Sequence, residues 1–469
     1  MVFNSLTFLV FFVSVWGTFW ILRGWAERKS LLLISSYVFY AAWSPPYALL
    51  LLGSTTIDWW LARCIGQTND PRRRRWLLIV SLASNLLILG YFKYGNFLIQ
   101  NFQFWLQNFG IAYNPPAVDI ILPIGISFYT FASLSYLIDV YRGQIRSDWS
   151  WKDYALFVSF FPHLVAGPIV RASCLMPQIE HPRLPDPAQT AWGLSLVIFG
   201  LFFKIVLADS LLAPVVDQVY ASPASFGAFD TWAALLGFSG QIYFDFCGYS
   251  LCAIGIALCF GYHFPDNFRR PFAALSMTDF WRRWHISLSS WLRDYLYISL
   301  GGNRKGTLRT ARNLLITMLL GGLWHGASWM FVCWGAIHGI MLGFERILRA
   351  QMVPIPPAFR QGLLPCLLTF MLVTLAWIPF RASNAEQALA IVKASGNLSL
   401  GHNAELSFML AWVVTIITVC WHIRLRDIPI ETWFMRLGAG MQASLVLACL
   451  SSIFLFSGSD QRAFIYFQF

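Results

Sequence analysis

Two histidines, His285 and His325, carry the chemistry this sequence offers most plainly. His325 lies in GGLWHGASW, thirteen residues beyond Arg312, which on a continuous helix is roughly 20 Å of rise into a hydrocarbon core about 30 Å thick. An ionisable side chain at that depth is costly, and such residues face a partner or a water-filled path. Gly321, Gly322, Gly326 and Ala327 surround it, so backbone or ligand can approach closely. Imidazole titrates near neutrality, which suits it to take a proton from a reacting group. The structural alternative is a core histidine bonded to a neighbouring helix. His285, in RRWHISLS, is either a solvated or capping residue or a second group beside a reaction chamber. His338 is thirteen positions past His325; at about 100° per residue it points away, and packing is its expected role.

Asp58, Lys93, Asp139, Lys204, Asp209 and Asp245 also fall inside apolar runs, where pairing across a bundle is the expected fate of each. QIYFDFCGYS, residues 241–250, brings Gln241, Tyr243, Asp245, Tyr249 and Ser250 together, a density that suits a lined cavity better than a lipid-facing wall. There is no DxD pair, no GxxxxGK[ST], no GxSxG and no CxxC. A metal-dependent nucleotide-sugar transferase, a nucleotide hydrolase, a covalent serine and a metal site are therefore not indicated.

The elements that position these residues are membrane helices. Of 469 residues 57% are hydrophobic and 12% charged, and the mean hydropathy is +0.59, far from a soluble domain. The net charge of +11 reads as cytoplasmic loops and contact with anionic lipid, not nucleic acid. The expected fold is all-α: a single polytopic membrane bundle of ten to twelve segments, some re-entrant or interfacial. Pro45-Pro46 splits 31–63 into a helical hairpin, because two prolines cannot sit mid-helix in lipid. Arg23, Arg28 and Lys29 before it and Arg72 to Arg75 after it belong in the cytoplasm, which puts the N-terminus outside. The first run lacks a basic n-region and a cleavage site and reads as a retained helix. The nine cysteines read as buried free thiols. Residues 263–312 form a basic, aromatic, cytoplasm-facing region. Within it, Ser276 and Asp279 stand at capping-box spacing, and the following helix runs to Gly301-Gly302.

The motifs LPIGISFYTFASLSYLIDVYRG, FFPHLVAGPIVR, GLFFKIVLAD, QIYFDFCGYS, DFWRRWHISLSSWLRDYLYISLGGNRKG, GGLWHGASW, WIPFRA and the terminal FIYFQF together resemble the membrane-bound O-acyltransferase family. They are most similar to its bacterial branch that serves alginate O-acetylation. The resemblance implies a helical bundle around a funnel or tunnel in the bacterial inner membrane. It implies transfer of an acetyl group from a cytoplasmic thioester, acetyl-CoA, towards an exopolysaccharide such as alginate or cellulose. No bound cofactor is implied. His325 matches the family's invariant histidine and His285 its second functional one. Leu251 stands where relatives carry an aspartate, and His163 where glutamine is common.

On this resemblance His325 is the base. Trp324, Asn313 and His285 are candidates to orient substrate or stabilise an oxyanion, Asp245 and Tyr249 to line the tunnel, and Arg282 and Arg283 to hold donor phosphates. The partners implied are an acyl-CoA or other thioester donor, the lipid bilayer and a periplasmic esterase-like acetyltransferase. The rival expectation is a transporter or flippase with a buried His/Asp proton relay.

Overall fold

The computed structural model describes residues 1–113, 115, 120–351, 362–398, 405–458, 462, 464 and 465. Among them every regular element is helical. Eight helices are long and apolar enough to cross a membrane by length and composition: Pro45–Gln67, Pro71–Gln107, Pro187–Ala221, Ala228–Cys259, Trp329–Ala350, Leu363–Arg381, Leu406–Arg424 and Ala439–Phe456. The other expected segments are shorter helices, such as Leu6–Ile21 and Ile126–Tyr141, or carry charge in the first turns, as Thr307–His325 does with Arg309 and Arg312.

The chain forms two compact units. In the first, which holds Met1–Thr190, Ile256–Phe264 and Gly326–Ser328, Pro45 and Pro46 open a helix instead of sitting inside one, where their missing N–H groups cost nothing. Helix Pro71–Leu89 starts on Asp70, whose carboxylate accepts from the Arg72 N–H at 2.9 Å. Phe8, Phe19, Phe39, Phe161 and Phe260 fill its centre with edge-on and tilted ring contacts, among them Phe19–Phe260 at 5.2 Å. Asp58 is paired here with Asn85 Nδ2 at 2.7 Å. His163 is buried and tied to the backbone, its Nε2 lying 2.9 Å from the Phe157 carbonyl.

The second unit holds Ala191–Gly255, Pro265–His325 and Trp329–Phe469. Its helices approach through glycine. A Cβ on Gly200 would lie 2.5 Å from the Gly248 carbonyl oxygen, and one on Gly248 would lie 2.6 Å from that of Gly200. Helices Thr307–His325 and Trp329–Ala350 meet in the same way. Added Cβ atoms on Gly322 and Gly335 would fall against the Phe331 and Met318 carbonyl oxygens, and one on Gly339 would lie 2.9 Å from Leu315 Cα. Such small-residue faces let two backbones pack without side chains between them.

All nine cysteines are free, and not all are buried: Cys174, Cys333 and Cys420 are exposed.

Candidate functional site

Residues 276–302 do not form one helix. Ser276 Oγ accepts from the Asp279 N–H at 3.1 Å and starts Met277–Arg283 as its spacing predicts. The chain then breaks at His285, which has φ 43° and ψ 53°, a left-handed conformation that costs a non-glycine residue about 1–2 kcal/mol. A second helix begins at Ile286, and Gly301 and Gly302, both at positive φ, turn the chain out.

Asn267 causes the break. Its carbonyl oxygen takes the Ile286 N–H at 3.0 Å. Its side-chain Oδ1 lies within hydrogen-bond distance of Ser287 Oγ (2.9 Å), Ser287 N (3.3 Å) and His285 Nδ1 (3.1 Å). Its Nδ2 donates to Ser250 Oγ at 3.0 Å. With Oδ1 accepting from the Ser287 N–H, the amide can face only one way, so His285 Nδ1 must carry the proton. Nε2 is then a bare acceptor. It is buried and has no partner among the described residues. Burial pushes the His285 pKa down to about 3, so the ring is neutral. Phe246 meets it edge-on at 4.5 Å.

His325 closes its helix and is caged by rings: Trp334 at 4.9 Å and 88°, Trp324 at 5.1 Å, Phe380 at 5.3 Å. The Trp324 ring also lies 5.9 Å from His285, so one indole touches both histidines. His285 is wholly buried, whereas His325 keeps 4% of its surface, which makes His325 the more accessible of the two.

His338 does not point away. Its ring is 4.8 Å from Trp334, the same indole that packs on His325. The 100° rule fails because the helix stops at His325 and a new one starts at Trp329. Trp281 Nε1 donates to His338 Nδ1 at 3.3 Å, which leaves the proton on Nε2. Trp377 stacks on Trp334 at 5.7 Å and 17°. Among the described residues, the Nε1 groups of Trp334 and Trp377 and Nε2 of His338 are buried N–H donors with no acceptor. The cage of His325 thus offers unused donors, while His285 offers an unused acceptor.

Asp245 and Tyr249 belong to a neighbouring ion cluster. Lys204 Nζ lies 2.6 Å from Asp245 Oδ1 and 2.9 Å from Asp209 Oδ1. Residues 202–212 form a wide π-helical stretch, which stacks position i+5 over i and so brings Asp209 to Lys204. Three described residues near the C-terminus reach this cluster and its surroundings. The Ile465 N–H donates to Asp245 Oδ2 at 2.7 Å, Phe464 packs on Tyr249 at 4.5 Å and on Phe246 at 5.6 Å, and Arg462 pairs with Asp217. The rest of FIYFQF lies outside the described residues.

The remaining candidates lie elsewhere. Asn313 sits three helical turns below His325, where its Nδ2 bonds the Gly302 carbonyl at 3.0 Å and that of Leu300 at 3.3 Å; it braces the glycine turn. Arg282 is exposed. Arg283 is engaged by Asp279 and Asp427, each at 2.9 Å. Sequence reasoning did not single out Asn267, Ser287, Trp334 or Trp377. The motif WIPFRA contains Trp377 and Phe380, whereas Asn267, next to Asp266 in the polar stretch FPDNFRR, carried no signal of its own. Among the described residues no group of His, Cys, Asp or Glu could hold a metal ion.

Residues 141–382, which include both histidines, match the model of the membrane-bound O-acyltransferase family. The chain is 44% identical to the protein named probable alginate O-acetylase of Pseudomonas aeruginosa, over 87% of this chain and 77% of that one. It is 38% identical to the protein of the same name from Pseudomonas putida, with both chains covered end to end. With the peptidoglycan O-acetyltransferase of Helicobacter pylori it shares 38% identity, over 85% of this chain and 80% of the relative.

Proposed function

Because this chain belongs to the membrane-bound O-acyltransferase family, and is therefore a multi-pass membrane O-acyltransferase, we propose that it takes an acetyl group from acetyl-CoA at the bacterial inner membrane. The acetyl group serves O-acetylation of an exopolysaccharide such as alginate or cellulose. The observation that carries this reading is the pair of histidines joined through one indole, with His325 the more accessible.

In this reading His325 removes the acceptor hydroxyl proton as the oxygen bonds to the thioester carbonyl carbon. The tetrahedral intermediate collapses, the C–S bond breaks, and the thiolate takes the proton back from the imidazolium to leave as free thiol. A positioned base of this kind contributes about 10² to 10⁴-fold. The bare Nε2 of His285 receives a hydrogen bond from the acceptor and aligns it, and Trp324 fixes the spacing of the two rings. Indole N–H groups of Trp334 and Trp377 are the donors available to the developing oxyanion.

A periplasmic esterase-like acetyltransferase is the proposed recipient, passing the group on to the polymer. The experiment uses full-length protein in lipid nanodiscs with acetyl-labelled CoA and soluble alginate. Wild type with the partner should label the polymer and His325→Ala should not. Polymer labelled without any partner would end the relay, and labelling by His325→Ala would end the assignment of the base.

A further inference from the structure

Arg270 and His422 form a second polar cluster in the second unit, outside the histidine pair. Arg270 is 8% exposed, yet Nε and Nη2, the two groups along one edge of its guanidinium, are buried without a hydrogen-bond partner among the described residues. An arginine cannot shed its charge at accessible pH, and burying an unpaired charge is strongly unfavourable. Asp427 attracts it from a distance, but among the described residues no carboxylate forms an ion pair with it. Asp266 pairs with Arg269 at 3.2 Å, Asp279 with Arg283 at 2.9 Å and Arg426 at 2.8 Å, and Asp427 with Arg283 at 2.9 Å. Four arginines thus share three aspartates here counting Arg270, and Arg270 is left over.

The backbone holds it in this position. Arg270 has φ 48° and ψ 62°, the left-handed region, between an Arg269 N–H bonded to the Arg283 carbonyl at 2.9 Å and Pro271. His285 is the one other non-glycine residue at positive φ among those described. Strain of this kind persists where the surroundings impose it, and it clusters at ligand sites.

The guanidinium lies over the Trp421 ring at 5.5 Å, and the next residue is His422. His422 is wholly buried, and neither of its ring nitrogens has a partner among the described residues. Tyr243 meets it edge-on at 4.8 Å, and Phe272 lies at 5.2 Å. Two independent groups without hydrogen-bond partners therefore stand among the same aromatic rings, close enough to act on each other electrostatically.

We propose that Arg270 and His422 bind a phosphoryl oxyanion. The Nε–Nη2 edge takes two of its oxygens in a bidentate pair, and the His422 N–H takes a third. A carboxylate has only two oxygens and would leave the imidazole unserved. The group arrives through the small part of Arg270 that is exposed, and it belongs either to a phosphate-bearing acyl donor or to a phospholipid headgroup. The donor source rests on the acyl-transfer reading above, whereas the oxyanion site does not.

The test is protection of Arg270 in full-length wild-type protein from phenylglyoxal, read by mass spectrometry at that residue at fixed pH and ionic strength. Inorganic phosphate should slow modification at least threefold relative to acetate; equal rates in the two would overturn the site. The thermal midpoint of wild type should rise in phosphate over acetate, and the rise should vanish in Arg270→Gln. Persistence of the rise in Arg270→Gln would also overturn it. Arg270→Lys, which keeps charge without the bidentate edge, should retain less than half of the shift. Protection by coenzyme A but not pantetheine assigns the donor. Protection only in nanodiscs containing phosphatidylglycerol assigns the lipid. If neither protects where inorganic phosphate does, no biological phosphoryl ligand fits. A wild type that consumes no thioester but still shows phosphate protection would overturn the acyl-transfer reading and leave this one standing.

Discussion

Asn267 Oδ1 lies 3.1 Å from His285 Nδ1, and this contact fixes which ring nitrogen of the histidine is bare. Asn267 is therefore a positioning residue. Asn267→Ala should lower kcat about ten- to a hundredfold with little change in KM. Asn267→Asp should keep the tautomer but place a carboxylate beside the ring. That favours the imidazolium, raises the His285 pKa from about 3, and moves the acid limb of the kcat profile to higher pH. A purely structural role for Asn267 would leave the profile where it was.

Lys204 holds two buried carboxylates, Asp209 and Asp245. Removing one partner of a buried ion cluster leaves unpaired charge and costs about 3–5 kcal/mol. Lys204→Met should therefore lower the thermal midpoint in detergent sharply, and Lys204→Met combined with Asp209→Asn should recover part of the loss. Equal midpoints for the single and double variants would show that the charges do not interact.

The glycine face between Thr307–His325 and Trp329–Ala350 gives a graded test. Gly335→Ala drives a methyl against the Met318 carbonyl and should cost about 1–3 kcal/mol, as overpacking does. At Gly343 the nearest atom would be the Ala311 Cβ at 3.3 Å, so Gly343→Ala should be close to neutral, helped by the better helix propensity of alanine. Unfolding midpoints that rank the two the other way would contradict this packing.

Burial pushes the Asp279 carboxyl up, but the Leu275 N–H and the Arg283 and Arg426 guanidiniums outweigh it, and the group ends below the ordinary carboxylate range. A depressed carboxylate contributes stability above its unfolded pKa and loses it as pH falls through the folded value. The midpoint gap between wild type and Asp279→Asn should be full at pH 6 and shrink as pH drops below about 4. A gap that widens on acidification would reverse the sign of this shift.

Much of the frame was legible because its signals are local. Pro45-Pro46 opening a helix, Ser276 capping Asp279 and the turn at Gly301-Gly302 follow from residue types at fixed short spacings. The continuity of the chain from Arg312 to His325 was legible too, since Thr307–His325 is one unbroken helix. What escaped depends on contacts distant in sequence. His285 leaves the helical region because Asn267 captures the next two N–H groups. His338 reaches the His325 cage through a chain reversal that a single periodicity cannot express. Lys204 meets Asp209 because a π-helical stretch changes the residues per turn, which a 3.6-residue pattern hides. The transporter expectation rested on buried carboxylates and histidines as a relay, and Asp209 and Asp245 converge instead on one lysine.

The most direct test of the account is the rate of free thiol release from acetyl-CoA by purified wild type and by His325→Ala, each with its acceptor present and each shown to unfold at a similar temperature. The account predicts a loss of about 10² to 10⁴-fold in the variant. Thiol release within a few fold of wild type would contradict it.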